Sequence, residues 1–342
     1  VKPGVELVAE SSVTVKWQGV EGGALFQVEA DNFSCRNLTV VSSKPVNVFY
    51  IGRRNSPTTI KNVRINNCRA IGGIQNFIVT SNSVSVDGLE MMNNRIESAT
   101  GFRAGLGMHS NNHSSNILVV NNSWKNVTRN THTVMISNAS NVVVAFNHFE
   151  NMNSTTNYVY CIALYNQYGP IDNVSIVGNA CIWKRDSSYL NGGITVSGEA
   201  NGSYEVKNVS VVGNVIQGDY SFDGMRVGIY LHSLAGTSVS NVHEVSVIGN
   251  VISGMQKGIT SWHPSNVVVN NNIIKDCKEH GIHVERGINV IISDNIVINS
   301  SRRVEGCSGI YFYLRNGRIT NNIVVDEYSN SKCGIEEKET DW

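Results

Sequence analysis

The stretch EHGIHVERG, residues 279–287, combines side chains capable of acid–base chemistry with a strand-like alternation. Apolar Ile282 and Val284 alternate with His283 and Glu285, so a β-strand would bury the first pair and present an imidazole and a carboxylate on its other face. Both groups can exchange protons with a substrate. Whether they form a site depends on the side chains that the fold brings beside them.

The composition excludes several classes of partner. The chain has 342 residues with equal numbers of basic and acidic side chains, and only 16% of its residues are charged. Without a basic field, no nucleic-acid partner is expected. No apolar run approaches the roughly 18 residues of a membrane helix, so no membrane span is expected. No signal peptide is apparent, and because the chain starts at Val1 we expect it to be processed or a fragment.

Cysteine and sequon usage bear on localisation. The seven cysteines show no zinc-binding pattern, and the odd number predicts at least one free, buried thiol. Asn-x-Ser/Thr sequons are abundant. They arise by chance in an Asn-rich and Ser-rich chain, or they mark an exported glycoprotein on a surface. Their asparagines are Asn32, Asn37, Asn112, Asn121, Asn126, Asn138, Asn153, Asn173, Asn201, Asn208 and Asn299.

An internal repeat organises most of the chain. Its first segment has the form Asn-Val-x-Val-x-x-Asn-x-Ile or a close variant, as in NVSVVGNVI and NVIISDNIV. A second apolar segment, usually opened by glycine, follows in each repeat, as in GIYLHS and GIHVER. The second asparagine of the first segment recurs every 22 to 36 residues, at Asn94, Asn122, Asn147, Asn179, Asn214, Asn250, Asn272, Asn295 and Asn322.

The repeat predicts an all-β fold, a right-handed parallel β-helix of about eleven turns. Both segments alternate with period two, no long helical period occurs, and a repeat of roughly 25 residues suits one turn of such a solenoid. The recurring asparagines are expected to stack as an internal ladder at a bend. Residues 1–23 are predicted to be an extended segment leading into the first turn, and residues 24–342 a single domain.

The repeat resembles that of the pectin-lyase-like superfamily over about nine tenths of the chain. The resemblance implies the fold without selecting an activity, because the superfamily contains polysaccharide lyases, hydrolases, epimerases, esterases, tailspikes and adhesins. The calcium-binding aspartate clusters of pectate lyases are absent from this sequence. No cofactor is therefore evident, although calcium is possible without a motif. No metal site is predicted.

The outward positions of the glycine-opened strands predict the functional face. N-terminal turns present mainly small groups there, whereas turns from about residue 228 present aromatic and titratable side chains, which suit a cleft for a polysaccharide or other glycan. The predicted substrate-binding residues are Tyr230, Trp262, His263, Arg286, Tyr313 and Arg315. The predicted catalytic residues are His283, Glu285, His232 and Tyr311. Bends predicted to wall the cleft carry Tyr189, Tyr204, Tyr220, Asp223 and Arg226.

Hydrolysis is one chemistry open to these residues. It needs two carboxylates about 5 Å apart, or roughly 6.5 to 9.5 Å apart for inversion. Glu285 and Glu336 are expected near 10 Å by strand spacing, with Tyr311 between them, which is marginal.

Lyase-type chemistry is slightly favoured. It needs a base, an acid for the leaving oxygen and a cation that neutralises a uronate carboxylate. His283 or His232 could be the base and Tyr311 or Tyr313 the acid. Arg286 or Arg315 could neutralise the carboxylate.

The alternative is a non-catalytic glycan-binding or structural surface protein, such as a viral tailspike, an adhesin or a filament subunit. The open ends of a β-helix need covering, so flanking domains or a homo-oligomer are expected to cap them. Either function places the protein outside the cell or on a cell or virion surface.

Overall fold

A computed structural model of the chain describes residues 6–18, 22–53, 58–156, 159–183, 191–198, 204–219, 227–233, 241–302, 306–327 and 331–338. Within these ranges the chain forms thirty-two β-strands, joined through parallel pairings into one continuous stack. The prediction of a right-handed parallel β-helix is confirmed. Helical structure in the described residues amounts to one 3-10 turn, Asn166–Tyr168.

Each turn crosses three faces, which we call the first, second and third sheets. The first sheet contains β4 (Thr58–Asn66), β6 (Val84–Met92), β10 (Ser114–Val120), β13 (Ala139–Ala145), β16 (Ile171–Val177), β19 (Val206–Val212), β22 (His243–Ile248), β25 (Ser265–Asn270) and β30 (Arg318–Thr320). The second contains β7 (Arg95–Glu97), β8 (Thr100–Gly101), β11 (Ser123–Arg129), β14 (His148–Ser154), β17 (Ala180–Ile182), β20 (Val215–Gln217), β23 (Val251–Ser253), β26 (Ile273–Lys275), β28 (Ile296–Ile298) and β31 (Ile323–Val325).

The third sheet is built from the glycine-opened segments. It contains β2 (Ala24–Val28), β9 (Leu106–Gly107), β12 (Val134–Ile136), β15 (Val159–Tyr165), β18 (Asn191–Gly198), β21 (Val227–Ser233), β24 (Lys257–Trp262), β29 (Ile310–Arg315) and β32 (Ile335–Glu337). Four long strands turn a corner and so join two or three sheets. They are β1 (Glu6–Trp17), β3 (Ser34–Ile51), β5 (Arg69–Thr80) and β27 (Ile282–Ser293).

The asparagine ladder lies at the corner between the first and second sheets, as predicted. In a typical rung, Asn214 Nδ2 donates to Asn250 Oδ1 at 2.9 Å and to the Ile176 carbonyl at 3.0 Å. The Asn214 N–H donates to the same Asn250 oxygen at 2.9 Å. The ladder runs unbroken from Asn94 to Asn322. It therefore satisfies backbone groups that the corner would otherwise leave unpaired.

A column of glycines brings the third sheet's turns close together. A Cβ added at Gly228 would lie 2.6 Å from the Gly258 carbonyl oxygen, and one added at Gly258 would lie 2.4 Å from that of Gly281. Real Cβ atoms do not approach oxygen so closely, which explains why glycine recurs at the start of this segment.

Left-handed bends explain much of the sequon pattern. Eight sequon asparagines in the described residues have φ between +51° and +60°, a region that asparagine tolerates better than most residues. The predicted free thiols are present: all seven cysteines are unpaired, and Cys35 Sγ lies 4.0 Å from Cys68 Sγ. Across the described residues, no helix has the length and apolar character that spanning a membrane would require.

Candidate functional site

The outer face of the third sheet has the register expected from the sequence. Paired residues run through β9, β12, β15, β18, β21, β24, β27, β29 and β32, and they form a column of Gly107, Met135, Ala163, Thr195, Tyr230, Thr260, His283, Tyr311 and Glu336. A neighbouring column pairs Tyr165, Ser197, His232, Trp262 and Glu285. The large side chains of these two columns therefore share one face, as predicted.

A groove of about 360 Å³ crosses this face over the middle turns. The Tyr160 and Tyr230 rings are nearly parallel with centroids 6.3 Å apart, and the His232 ring stacks on Tyr230 at 5.2 Å. The Trp262 side chain is 38% exposed at the groove edge. The lining residues are His132, Tyr160, Tyr165, Thr195, Ser197, Val227, Tyr230, Lys257, Thr260 and Trp262.

The sequence did not predict the column just before the apolar segment, which opens with glycine in three of the four turns concerned. Tyr160, followed by Cys161, and then Gly192, Val227 and Lys257 occupy this position in successive turns. Because the chain turns into the third sheet there, strict alternation does not predict their direction. The recurrent glycine was the signal available, since the residue before it enters the groove.

A second cleft of about 580 Å³ continues the groove toward the N-terminal turns. The two cavities share His132 and Tyr165. The cleft also contains Arg103, His109 and Tyr168. The outward strand positions here are mainly small, as expected, but side chains from bends and from the 3-10 turn fill the space above them, which the sequence did not predict.

The predicted residues His283, Glu285 and Tyr311 lie together in an ionic cluster on the C-terminal side of the groove. Lys257 Nζ donates to His283 Nδ1 at 3.3 Å, and His283 Nε2 faces Glu285 Oε2 at 3.5 Å. The rings of His283 and Tyr311 are 5.0 Å apart in an edge-to-face arrangement. Lys338 Nζ contacts Glu285 Oε1 at 3.2 Å. Both ring nitrogens of His283 thus face charged neighbours.

The protonation states in this cluster follow from burial. Burial, reinforced by the positive charge of Lys257 and by His280, lowers the pKa of His283 to about 4. Burial also raises the pKa of Tyr311 above its usual value. At neutral pH the imidazole is therefore a neutral acceptor and the phenol a protonated donor, which are the states that a base and an acid need.

A β-bulge changes the expected environment of Tyr313. Val284 pairs with Phe312 and Gly287 pairs with Leu314, so two residues of β27, including Glu285, face Tyr313 alone. Tyr313 is only 7% exposed, and Lys338 Nζ lies 6.0 Å from its ring centroid. The expectation that Tyr313 is exposed on this face is wrong, because its side chain is buried opposite the bulge, near the Lys338 ammonium. Its role in substrate binding stays a prediction.

Of the other predicted residues, His263 and Arg315 lie at strand ends, and Arg286 lies in the bulge of β27. His263 and Arg286 adopt φ of +50° and +52°, and the His263 N–H donates to the Glu285 carbonyl at 2.8 Å. Burial and the nearby Arg286 charge lower the pKa of His263. Arg286 and Arg315 are exposed, and neither lines the groove. Their roles in substrate binding stay predictions, as do the catalytic roles assigned above.

Glu336 is a poor partner for Glu285 in hydrolysis. Its carboxylate accepts hydrogen bonds from Lys332, at 2.5 Å, and from Ser308. These bonds lower the pKa of Glu336, so it remains ionised and cannot act as a general acid near neutral pH.

The structure also bears on metal binding and on the bends predicted to wall the cleft. No group of three or more His, Cys, Asp or Glu side chains in the described ranges could hold a metal ion. The possible calcium dependence therefore stays a prediction. Of the residues predicted to wall the cleft, Tyr204 is described and is exposed. Tyr189, Tyr220, Asp223 and Arg226 lie outside the described residues.

Comparisons with known proteins agree with the fold. A model described as a right handed beta helix region matches residues 228–340, about a third of the chain. The sequence has no significant match among curated proteins.

Similar solved structures include the A-module of mannuronan C-5 epimerase AlgE6 from Azotobacter vinelandii. It is 14% identical with a TM-score of 0.39, and the match covers 96% of this chain and 92% of that one. A mutant tailspike protein of E. coli bacteriophage HK620 is also similar, at 14% identity with a TM-score of 0.49, over 92% of this chain and 64% of that one. At these identities the chain is similar to them in fold alone.

Proposed function

We propose that this protein binds a polysaccharide in the groove over the middle turns of the third sheet. One observation carries the proposal: Tyr160, Tyr230 and Trp262 form an aromatic wall beside hydroxyl groups and the Lys257 ammonium. Aromatic faces pack against the apolar faces of pyranose rings, while fixed polar groups hold hydroxyl or carboxylate groups. A polymeric ligand suits the continuation of the groove into the second cleft.

The proposed binding face lies nearer the N-terminus than the sequence predicted. Of the residues predicted to bind the ligand, Tyr230 and Trp262 line this groove. We therefore expect the ligand contacts in the groove rather than at the C-terminal turns. His283, Glu285 and Tyr311 would adjoin one end of the bound chain. A ligand of this kind also favours a location outside the cell or on a cell or virion surface.

Binding is tested by isothermal titration calorimetry against acidic and neutral polysaccharides. Tyr230→Ala and Trp262→Ala should each weaken binding at least about tenfold, the loss expected for an aromatic anchor at a binding site. Phe146→Ala is the matched control, because Phe146 is 62% exposed at the bend after β13, away from the third sheet. If no polysaccharide binds, or if all three variants bind equally well, the proposal fails.

Lyase-type cleavage is the second candidate. It is favoured by the neutral His283 imidazole 5.0 Å from the protonated Tyr311 ring. It requires His283 to exchange its contact with Lys257 or Glu285 for the substrate, because both ring nitrogens face those side chains. An absorbance increase at about 232 nm that disappears in His283→Ala would support cleavage. Binding without turnover would leave a glycan-binding protein.

A further inference from the structure

The second cleft contains a buried cation. Arg103 lies in the bend between β8 and β9, where its N–H and that of Ala104 donate to the Gln75 carbonyl at 2.8 and 3.1 Å. Arg103 lines the cleft although it is only 4% exposed. The two bonds fix the backbone of Arg103 at the cleft wall, and burial restricts its side chain there.

The guanidinium has few hydrogen-bond partners and no ionic one. Its Nη1 donates to Asn76 Oδ1 at 3.4 Å, and its Nη2 faces Met135 Sδ, a weak acceptor, at 3.6 Å. Its Nε is buried and has no hydrogen-bond partner among the described residues. No carboxylate among those residues forms an ion pair with Arg103. The positive charge of the guanidinium therefore has no anionic partner in this part of the chain.

Burial makes this arrangement unfavourable for the folded protein alone. Burial lowers the pKa of Arg103 to about 10, which still leaves it charged at neutral pH. A buried, unpaired charge destabilises a fold. Burial and the Arg103 charge lower the pKa of the neighbouring His109 to about 3, so that imidazole stays neutral. An anion arriving from outside would offset the penalty and meet no competing carboxylate.

The rest of the cleft suits a sugar that carries such an anion. Arg103 Cζ lies 4.6 Å from the Phe102 ring centroid, and Phe102 is 42% exposed. Its ring therefore offers an apolar surface beside the cation. Side-chain amides suitable for hydroxyl groups come from Gln75, Asn82 and Gln167.

We propose that the second cleft is a subsite for an anionic sugar unit, whose oxyanion binds the guanidinium of Arg103. This inference rests on the proposed function, because the cleft shares His132 and Tyr165 with the groove and would take another unit of the same glycan. A guanidinium binds the two oxygens of a carboxylate or sulfate with parallel hydrogen bonds.

The test compares four polymers by calorimetry on the wild-type protein: a polyuronate, its methyl ester, a sulfated polysaccharide and a neutral glucan. The polyuronate should bind at least about tenfold more tightly than its methyl ester, since a charged hydrogen-bond pair is lost in the ester. Comparing the polyuronate with the sulfated polymer decides whether carboxylate or sulfate is the oxyanion. Equal binding of all four polymers would overturn the subsite.

Variants separate the subsite from the groove. Arg103→Gln should reduce the affinity for the anionic polymer at least about tenfold and leave the affinity for the methyl ester unchanged. Trp262→Ala should reduce the affinity for both polymers. Arg318→Gln is the matched control, an exposed arginine on the first sheet. If Trp262→Ala weakens binding and Arg103→Gln does not, the subsite proposal is wrong while the proposed function stands. If no polymer binds, both fail.

A stability measurement excludes a purely structural role for Arg103. Arg103→Met removes the buried charge and keeps much of the side-chain volume. We expect its melting temperature to equal or exceed that of the wild type, together with loss of anion discrimination. A lower melting temperature with unchanged discrimination would overturn the proposal.

Discussion

The asparagine ladder and the outer face of the third sheet are built from the same stacked turns, yet they differ in sequence variety. The ladder uses one residue type in every rung from Asn94 to Asn322, and each rung repeats the same hydrogen bonds. The outer column changes from Thr195 to Tyr230, Thr260 and His283 in successive turns. A solenoid's stability comes from contacts repeated between turns, whereas recognition of a ligand needs different groups at different heights.

Removing one rung of the ladder should have the largest effect. Asn214→Ala removes the hydrogen-bond partners of the Ile176 carbonyl and the Asn179 N–H, and it removes the bond from Asn214 Nδ2 to Asn250 Oδ1. We expect the free energy of unfolding to fall by about 3 kcal/mol or more, measured by urea denaturation. Glycan binding by the folded fraction should not change.

Asn322→Ala is the matched control for this prediction, because Asn322 is half-buried at the last rung and fewer bonds depend on it. An equal loss of unfolding free energy in Asn322→Ala and Asn214→Ala would contradict a stabilisation that depends on the number of ladder hydrogen bonds.

The ionic cluster should make stability depend on pH in a way that the ladder does not. The pKa of His283 is about 4 in the folded protein and near 6.5 when unfolded. Between these values the unfolded chain binds more protons than the folded protein. The stability that the neutral imidazole contributes is therefore fully present above about pH 6.5 and is lost as the pH falls toward 4. His283→Gln should flatten the stability profile in this window by on the order of 2–3 kcal/mol.

The measurement is thermal or urea unfolding of wild type and His283→Gln between pH 4 and 7.5. The half-buried His148 on the second sheet provides the comparison, since its side chain is 43% exposed and His148→Gln should change the profile less than His283→Gln. Parallel profiles for wild type and His283→Gln would show that the imidazole is not held neutral by its surroundings.

The glycine column can be tested by adding one methyl group. Gly258→Ala should lower the free energy of unfolding by about 1–3 kcal/mol, because the added Cβ would lie 2.4 Å from the Gly281 carbonyl oxygen and 2.5 Å from Ile274 Cγ2. Gly334→Ala, at the end of the same column, should be nearly neutral since its nearest atom is 3.6 Å away. Similar losses of unfolding free energy in both variants would contradict the close approach of the turns at Gly258.

On the outer face, single substitutions should change binding more than stability. Tyr230→Phe keeps the aromatic ring and should retain most of the affinity, whereas Tyr230→Ala should lose at least about tenfold. Both should unfold within about 1 kcal/mol of the wild type, since Tyr230 is only half-buried. Calorimetry and urea denaturation on the same samples measure the two effects. Equal loss of affinity in both variants would assign the binding to the hydroxyl group.

Much of the fold and of the register could be predicted from the sequence, because alternation and repetition act locally. The outer column through Tyr230 and His283 follows from period-two alternation once the strands are aligned. The bulge opposite Tyr313 was not predicted. Gly287 follows the two bulged residues directly, but glycine also recurs at the start of other strands in this sheet, so it does not mark a bulge by itself. The second cleft was also missed, because Arg103 comes from a bend whose direction depends on contacts with Gln75, far away in sequence.

The central claim is that a glycan lies over Tyr230 and Trp262 with an anionic unit at Arg103. A crystal structure with the oligosaccharide that binds best tests it most directly. We expect sugar rings packed on these two aromatic side chains and an oxyanion within hydrogen-bond distance of the Arg103 guanidinium. A glycan bound on the first or second sheet, with an empty third-sheet groove, would contradict it.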